Sequence, residues 1–145
     1  MKILVLHGPN LNMLGLREKE QYGSKTLDQI NGMLKMKANE LGGDLMFFQS
    51  NHEGALIDFL QKESADSNGI LTNPGALTHY GYSLRDALVD TKLPVIEVHL
   101  SNIMEREKFR KVDVLDGIVV KRIMGQREKS YIQGLETLIA HIKNV

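Results

Sequence analysis

Short apolar bursts alternate with longer amphipathic stretches from one end of the chain to the other. Lys2 to Leu6 is rich in β-formers and reads as a buried strand. From Thr26 to Leu41 the apolar positions Leu27, Ile30, Leu34, Ala38 and Leu41 keep helical spacing. Thr26 and Gln29 supply a capping box, and Gly42-Gly43 a stop. The same reading predicts strands at 44–49, 69–73, 94–98 and 117–120. It predicts helices at 53–64, near 84–89, and at 127–142, where Tyr131, Ile132, Leu135, Leu138, Ile139 and Ile142 stay in register. Strand–helix alternation of this kind implies a parallel sheet covered by helices on both faces. Five strands favour the flavodoxin-like order 2-1-3-4-5 over a full dinucleotide fold. The expectation is therefore a three-layer α/β/α sandwich occupying residues 1–145 as one domain.

Bulk properties narrow the function classes. Hydrophobic residues make up 42% of the chain and charged residues 25%, the balance of an ordinary globular protein rather than a disordered one. Lysine plus arginine and aspartate plus glutamate number 18 each, so the net charge is zero. Non-specific nucleic-acid binding needs a basic face and is not expected. A small anionic pocket needs only two or three cations and remains open. There is no cysteine, which excludes disulfides and thiolate chemistry and fits a reducing compartment. No window approaches a membrane span, and the apolar start lacks the layout of a signal peptide. A cytoplasmic enzyme without membrane contact is the expectation.

Open α/β sheets bind ligands beyond the carboxyl ends of their strands, and polar side chains gather there. Strand one runs into Gly8-Pro9-Asn10 and then a long loop carrying Arg17 and Tyr22; loops of this length tend to carry function. Strand two ends in Gln49-Ser50-Asn51, strand three in Asn73-Pro74-Gly75, and strand four in Glu97-Val98-His99-Leu100-Ser101-Asn102. Amides and hydroxyls suit a polyhydroxylated ligand. A charged stretch, 105–111, adds Arg106 and Arg110, spaced as on one helical face. Two guanidinium groups at a polar rim point to an acidic ligand or to a pKa-tuning role. No phosphate-binding glycine pattern and no zinc-ligand spacing occurs, so neither nucleotide nor metal is expected. His7 reads as structural or solvent-facing.

Taken in order, these segments resemble the type II 3-dehydroquinate dehydratases. The resemblance is carried by Gly8-Pro9-Asn10-Leu11-Asn12, Arg17-Glu18, Tyr22-Gly23, Gln49-Ser50-Asn51, Asn73-Pro74-Gly75-Ala76, Thr78-His79, Arg85-Asp86-Ala87-Leu88, the run Pro94 to Asn102, and Arg106-Glu107 with Phe109-Arg110. It implies a cofactor-free, metal-free trans-dehydration of 3-dehydroquinate to 3-dehydroshikimate through an enolate. It also implies a trimer-based homo-oligomer, up to a tetramer of trimers (a dodecamer). By resemblance, Tyr22 would be the base that takes a proton from C2, with Arg17 holding its phenolate and Asn10 positioning a water near the enolate. His99 would be the general acid for the C1 hydroxyl, oriented by Glu97. Asn73 would assist beside that hydroxyl, while Ser101 and the Leu100 backbone would bind the carboxylate. His79 and Arg110 would hold ring hydroxyls, Asp86 would arrive from a neighbouring subunit, and Arg106 would stand near the tyrosine.

A free tyrosine titrates near ~10, and lowering it by about two units needs roughly 2.7 kcal/mol of preference for the phenolate. One cation at about 4 Å supplies on the order of 4 kcal/mol of gross attraction at an effective dielectric of about 20. Desolvation opposes it, so a second guanidinium is expected to help. Three features depart from the family pattern: Tyr80-Gly81-Tyr82 where small hydroxyl residues are usual, Lys19 for a common proline, and a charged, insertion-like run from Val120 to Tyr131. These admit a rival reading, a relative with weak or lost activity that serves as a small-acid-binding module.

Overall fold

The computed structural model describes residues 1–145. Five parallel strands, β1 (Lys2–His7), β2 (Asp44–Gln49), β3 (Gly69–Asn73), β4 (Val95–His99) and β5 (Lys121–Met124), form one sheet in the order β2-β1-β3-β4-β5. The helices are α1 (Lys19–Tyr22), α2 (Leu27–Leu41), α3 (Glu53–Glu63), α4 (Tyr82–Thr91) and α5 (Glu128–Lys143). The flavodoxin-like order expected from the alternation is the one observed.

Strand parity explains the layers. In β1, Ile3 and Val5 point into one apolar cluster with Ile30, Leu34 and Ala38 of α2 and Leu135, Leu138 and Ile139 of α5. Leu4 and Leu6 point the other way, against Leu56 and Leu60 of α3 and Leu84 and Leu88 of α4. Alternate residues thus face opposite cores, which is why the strand reads as continuously apolar. Helix α5 approaches the sheet closely: a Cβ on Gly134 would lie 2.5 Å from Val98 Cγ1 and 2.9 Å from Leu71 Cδ1. The α2 start is capped as its sequence predicts, with Gln29 N–H donating to Thr26 Oγ1 (3.2 Å) and Thr26 N–H to the Gln29 side chain (2.9 Å). No helix is long and apolar enough to cross a membrane.

Two expectations are corrected. The fifth strand is Lys121–Met124, not 117–120. The apolar run before it turns instead of extending; Val114, Leu115, Ile118 and Val119 pack as a plug on the α3/α4 face. The charged run is the sheet edge, paired in register from Ile96↔Lys121 to His99↔Met124. An edge strand need not be buried along its whole length, so Ile123 is buried while Arg122 and Met124 on the other face are half-buried and Lys121 at the strand start is exposed. It is therefore no insertion. The second correction concerns 105–111, which is not one helix but two 3₁₀ turns, Ile103–Glu105 and Lys108–Lys111, with Arg106 extended between them.

Candidate active site

The loop after β1 is pinned from both sides. A Cβ on Gly8 would stand 2.2 Å from the Pro74 carbonyl oxygen, so only glycine lets the two strand-end turns touch. Asn10 sits at φ 71, a left-handed conformation uncommon outside glycine, and its N–H donates to Asn51 Oδ1 at 2.9 Å. Leu11 and Leu14 bury themselves in the core, anchoring a loop whose composition looked mainly polar. Beyond them, α1 carries Tyr22 back over the strand ends.

A cleft of about 100 Å³ opens there, lined by residues that include Asn10, Arg17, Tyr22, Asn73, His99, Leu100, Ser101, Arg106 and Arg110. Three guanidinium groups line it and no carboxylate does. A chain of zero net charge has concentrated positive charge in one polar recess, the requirement for an acidic ligand. A wider groove of about 610 Å³ adjoins it, sharing Leu100, Ser101 and Arg106, but lacks Tyr22 and His99. The chemistry-bearing groups face the smaller space.

Tyr22 is held by two arginines in different ways. Arg106 Nη1 donates to the Tyr22 hydroxyl at 2.9 Å and to Ser101 Oγ at 3.2 Å. The Arg17 guanidinium instead lies over the ring face, 3.7 Å from its centroid. The resemblance gave the phenolate to Arg17; the direct bond to the oxygen is Arg106's. Burial pulls the Arg17 guanidinium below its usual value, and the tyrosine charge pulls it back up. Because Ser101 Oγ accepts from Arg106, its own O–H is free to donate into the cleft.

His99 lies at the end of β4, 5% exposed. Its Nε2 meets Glu97 Oε2 at 2.6 Å, so the ring carries its proton on Nε2 and leaves Nδ1 bare. Thr78 Oγ1 donates to the same oxygen at 2.9 Å. Burial draws the imidazole down to about 4, while the Asp113 carboxylate pulls the other way. Glu97 is fully buried beneath the cleft, and burial pushes its carboxyl up.

Two expected residues stand apart in the single chain. His79 Nδ1 binds the Val112 carbonyl at 2.6 Å and its ring abuts Phe109 edge-on, outside the cleft lining. Asp86 is exposed on the outer face of α4. His7 is structural: fully buried, with Nδ1 bound to the Tyr131 hydroxyl and Nε2 to Asn31 Oδ1, both at 2.8 Å. Asp113 and Arg122 were not singled out in the sequence, and Tyr131 was read only as a core position of the last helix. A lone aspartate inside Val112-Asp113-Val114-Leu115 was the available signal, since a carboxylate on an apolar run is buried only with partners. No group of three or more histidine and carboxylate side chains converges as a metal-ligand set.

The family model for class II dehydroquinase matches residues 1–139, well past the segments that carried the resemblance. A 3-dehydroquinate dehydratase of Roseiflexus castenholzii is 57% identical over 139 residues, covering 96% of this chain and 88% of the relative. One from Geotalea daltonii is 50% identical over 143 residues, covering 99% of each. Among solved structures, type II dehydroquinase from Butyrivibrio crossotus superposes with a TM-score of 0.92 at 44% identity, over 95% of this chain and 97% of that one. With the strand order, the cationic cleft and these likenesses in agreement, the chain belongs to the class II dehydroquinase family.

Proposed function

We propose that this protein is a 3-dehydroquinate dehydratase, removing water from 3-dehydroquinate by anti elimination to give 3-dehydroshikimate. The observation that carries the proposal is the Arg106–Tyr22–Arg17 cluster sharing a carboxylate-free cleft with His99. Tyr22, as phenolate, takes the C2 proton next to the ketone. The electron pair passes into the C2–C3 bond as an enolate, with Asn10 holding a water beside its oxygen. The C1–O bond then breaks, and the oxygen leaves as water with a proton from His99. Solvent then takes the proton from Tyr22, restoring the phenolate, and supplies one to His99.

Electrostatics support this division of roles. Arg106 on the hydroxyl and Arg17 over the ring set two cations against Tyr22. Arg110 and the free Ser101 O–H suit the substrate's hydroxyls and carboxylate, and Asn73, at the end of β3, lines the same cleft. The His99 ring is neutral in the free protein. A bound carboxylate followed by an enolate brings negative charge into a low-dielectric recess, which raises the ring's proton affinity when the acid is needed.

Asp86 shares the outer face of α4 with Tyr82 and Val89, 65% and 47% exposed, beside Tyr80 at 61%. Such an apolar face around one carboxylate supports docking of a second copy, which would carry Asp86 to its neighbour's site.

The test mixes protein with 3-dehydroquinate and follows the conjugated enone in the ultraviolet. Wild type should turn over, and Tyr22→Phe should lose at least about 10³-fold in kcat while still binding. Equal turnover in that variant defeats the mechanism. Ligand-dependent thermal stabilisation without any enone would point to a binding module instead.

A further inference from the structure

Behind His99, on the side away from the cleft, lies a second carboxyl that the proposed reaction does not use. Glu97 Oε2 accepts two hydrogen bonds, from His99 and Thr78, whereas Oε1 is buried with no donor at all. The group within hydrogen-bonding reach of Glu97 on its free side is the Asp113 carboxyl, whose side chain is itself 0% exposed. Asp113 has both oxygens occupied: Oδ1 accepts from the Leu115 N–H at 2.8 Å, and Oδ2 from Arg122 Nη1 at 2.5 Å. Two carboxylates in contact, both ionised and out of water, would leave Oε1 facing an acceptor with nothing between them. A single proton removes the conflict. That proton lies between Glu97 Oε1, which has no other partner, and the Asp113 carboxyl.

We propose that Asp113, clamped by Arg122, is a positioning residue for the dehydration: it shares one proton with Glu97, and so fixes Glu97 against His99 and withholds full negative charge from that ring. This deepens the functional reading and rests on it. Burial raises both carboxyls; the hydrogen bond with Asp113 draws Glu97 part of the way back down, while the Glu97 neighbour adds to burial in raising Asp113 to about 6. The other charged groups around the pair are few. Arg122 also reaches Asp116 at 3.2 Å on the exposed side, and His79 senses the charges of His99, Arg110 and Asp113. The device links the sheet edge to the site: β5 supplies Arg122, the turn before it supplies Asp113, and β4 supplies Glu97 and His99.

The proton is observable without substrate. Infrared difference spectra of the folded wild-type protein at neutral pH, with labelled aspartate and glutamate, should show a carboxylic-acid carbonyl that disappears in Asp113→Asn. Its absence from wild type overturns the proposal whatever the activity proves to be. Kinetics provide the second arm. Asparagine can donate to Glu97 Oε1, leaving Glu97 fully charged beside His99. The high-pH limb of kcat, which reports the acid in the substrate complex, should move up by roughly one unit in Asp113→Asn. Asp113→Ala strands Oε1 and should lower kcat about tenfold with little change in KM. A limb that stays in place in both folded variants overturns the proposal, because a merely structural aspartate would change the amount of folded protein and leave the profile alone.

Discussion

The ends of β1 and β4 each present a buried histidine, and burial draws both rings down to about 4. Their surroundings differ. At the β1 end His7 spends both nitrogens on neutral partners, Tyr131 and Asn31, and nothing in the cleft touches it. At the β4 end His99 commits only Nε2, to a carboxyl, and keeps the other nitrogen for the cleft. A histidine with both nitrogens satisfied is a strut. One with a single nitrogen tethered and the other bare has a proton to trade. Burial and titration direction are the same at the two sites, so the partners alone separate structure from chemistry.

The comparison breaks most readily by substitution. His99→Gln should cut kcat by about 10²–10⁴-fold, equivalent to roughly 3–5 kcal/mol of barrier, with a small change in stability. His7→Ala should do the reverse, losing about 2–4 kcal/mol of folding stability by opening a cavity and orphaning the Tyr131 hydroxyl. Steady-state kinetics and urea unfolding on both variants check the pair; matching profiles would erase the distinction.

The feature the two rings share is tested by pH. Both rings are neutral when folded and titrate near 6.5 when unfolded, so the folded pKa is the lower one. Each therefore contributes stability that is present above about 6.5 and is lost as pH falls through about 4, when the native state must accept a charge it cannot solvate. The full loss is roughly 3 kcal/mol per ring. The raised Asp113 and Glu97 carboxyls act in the opposite sense over this range, so the check is a difference. The change in unfolding free energy from pH 7 to about 4 should differ between wild type and His7→Gln by roughly 3 kcal/mol.

The smallest effect concerns strain beside the β4 end. Arg127 holds φ 52 and ψ −135, where its N–H bonds the Leu100 carbonyl at 3.0 Å. A side chain in that region is strained, and Arg127→Gly should stabilise the fold by about 1 kcal/mol with kcat unchanged. A loss of stability on thermal melting would show that the Arg127 side chain compensates for its backbone.

Much of the molecule was legible before any coordinates. The strands β1 to β4, the helices α2 to α5 and the Thr26 cap followed from local periodicity and turn chemistry, because helix and strand patterns act over a few residues. The strand order followed from the strand count, and the one-turn helix α1 was read as loop. Of the residues named by resemblance, Asn10, Arg17, Tyr22, Asn73, His99, Leu100, Ser101, Arg106 and Arg110 do line one cleft, whereas His79 and Asp86 do not. The fifth strand was misplaced because 117–120 is the more apolar run, yet it packs as a plug while its charged successor pairs at the edge. Local pattern cannot decide which of two adjacent segments wins a sheet edge, since the outcome turns on what each buries.

The chain by itself determined the α/β alternation, the caps and the polar inventory at the strand ends, all of which depend on neighbours in sequence. Only the tertiary structure decided who pairs with whom. Arg106 rather than Arg17 reaches the Tyr22 hydroxyl across 84 positions, and His7 meets Tyr131 across 124. Glu97 finds a second carboxyl in a turn that carried no motif. Hydrogen bonds and buried charges act over about 3–4 Å of space, and spacing along the chain carries no measure of that distance until the sheet has brought its edges together.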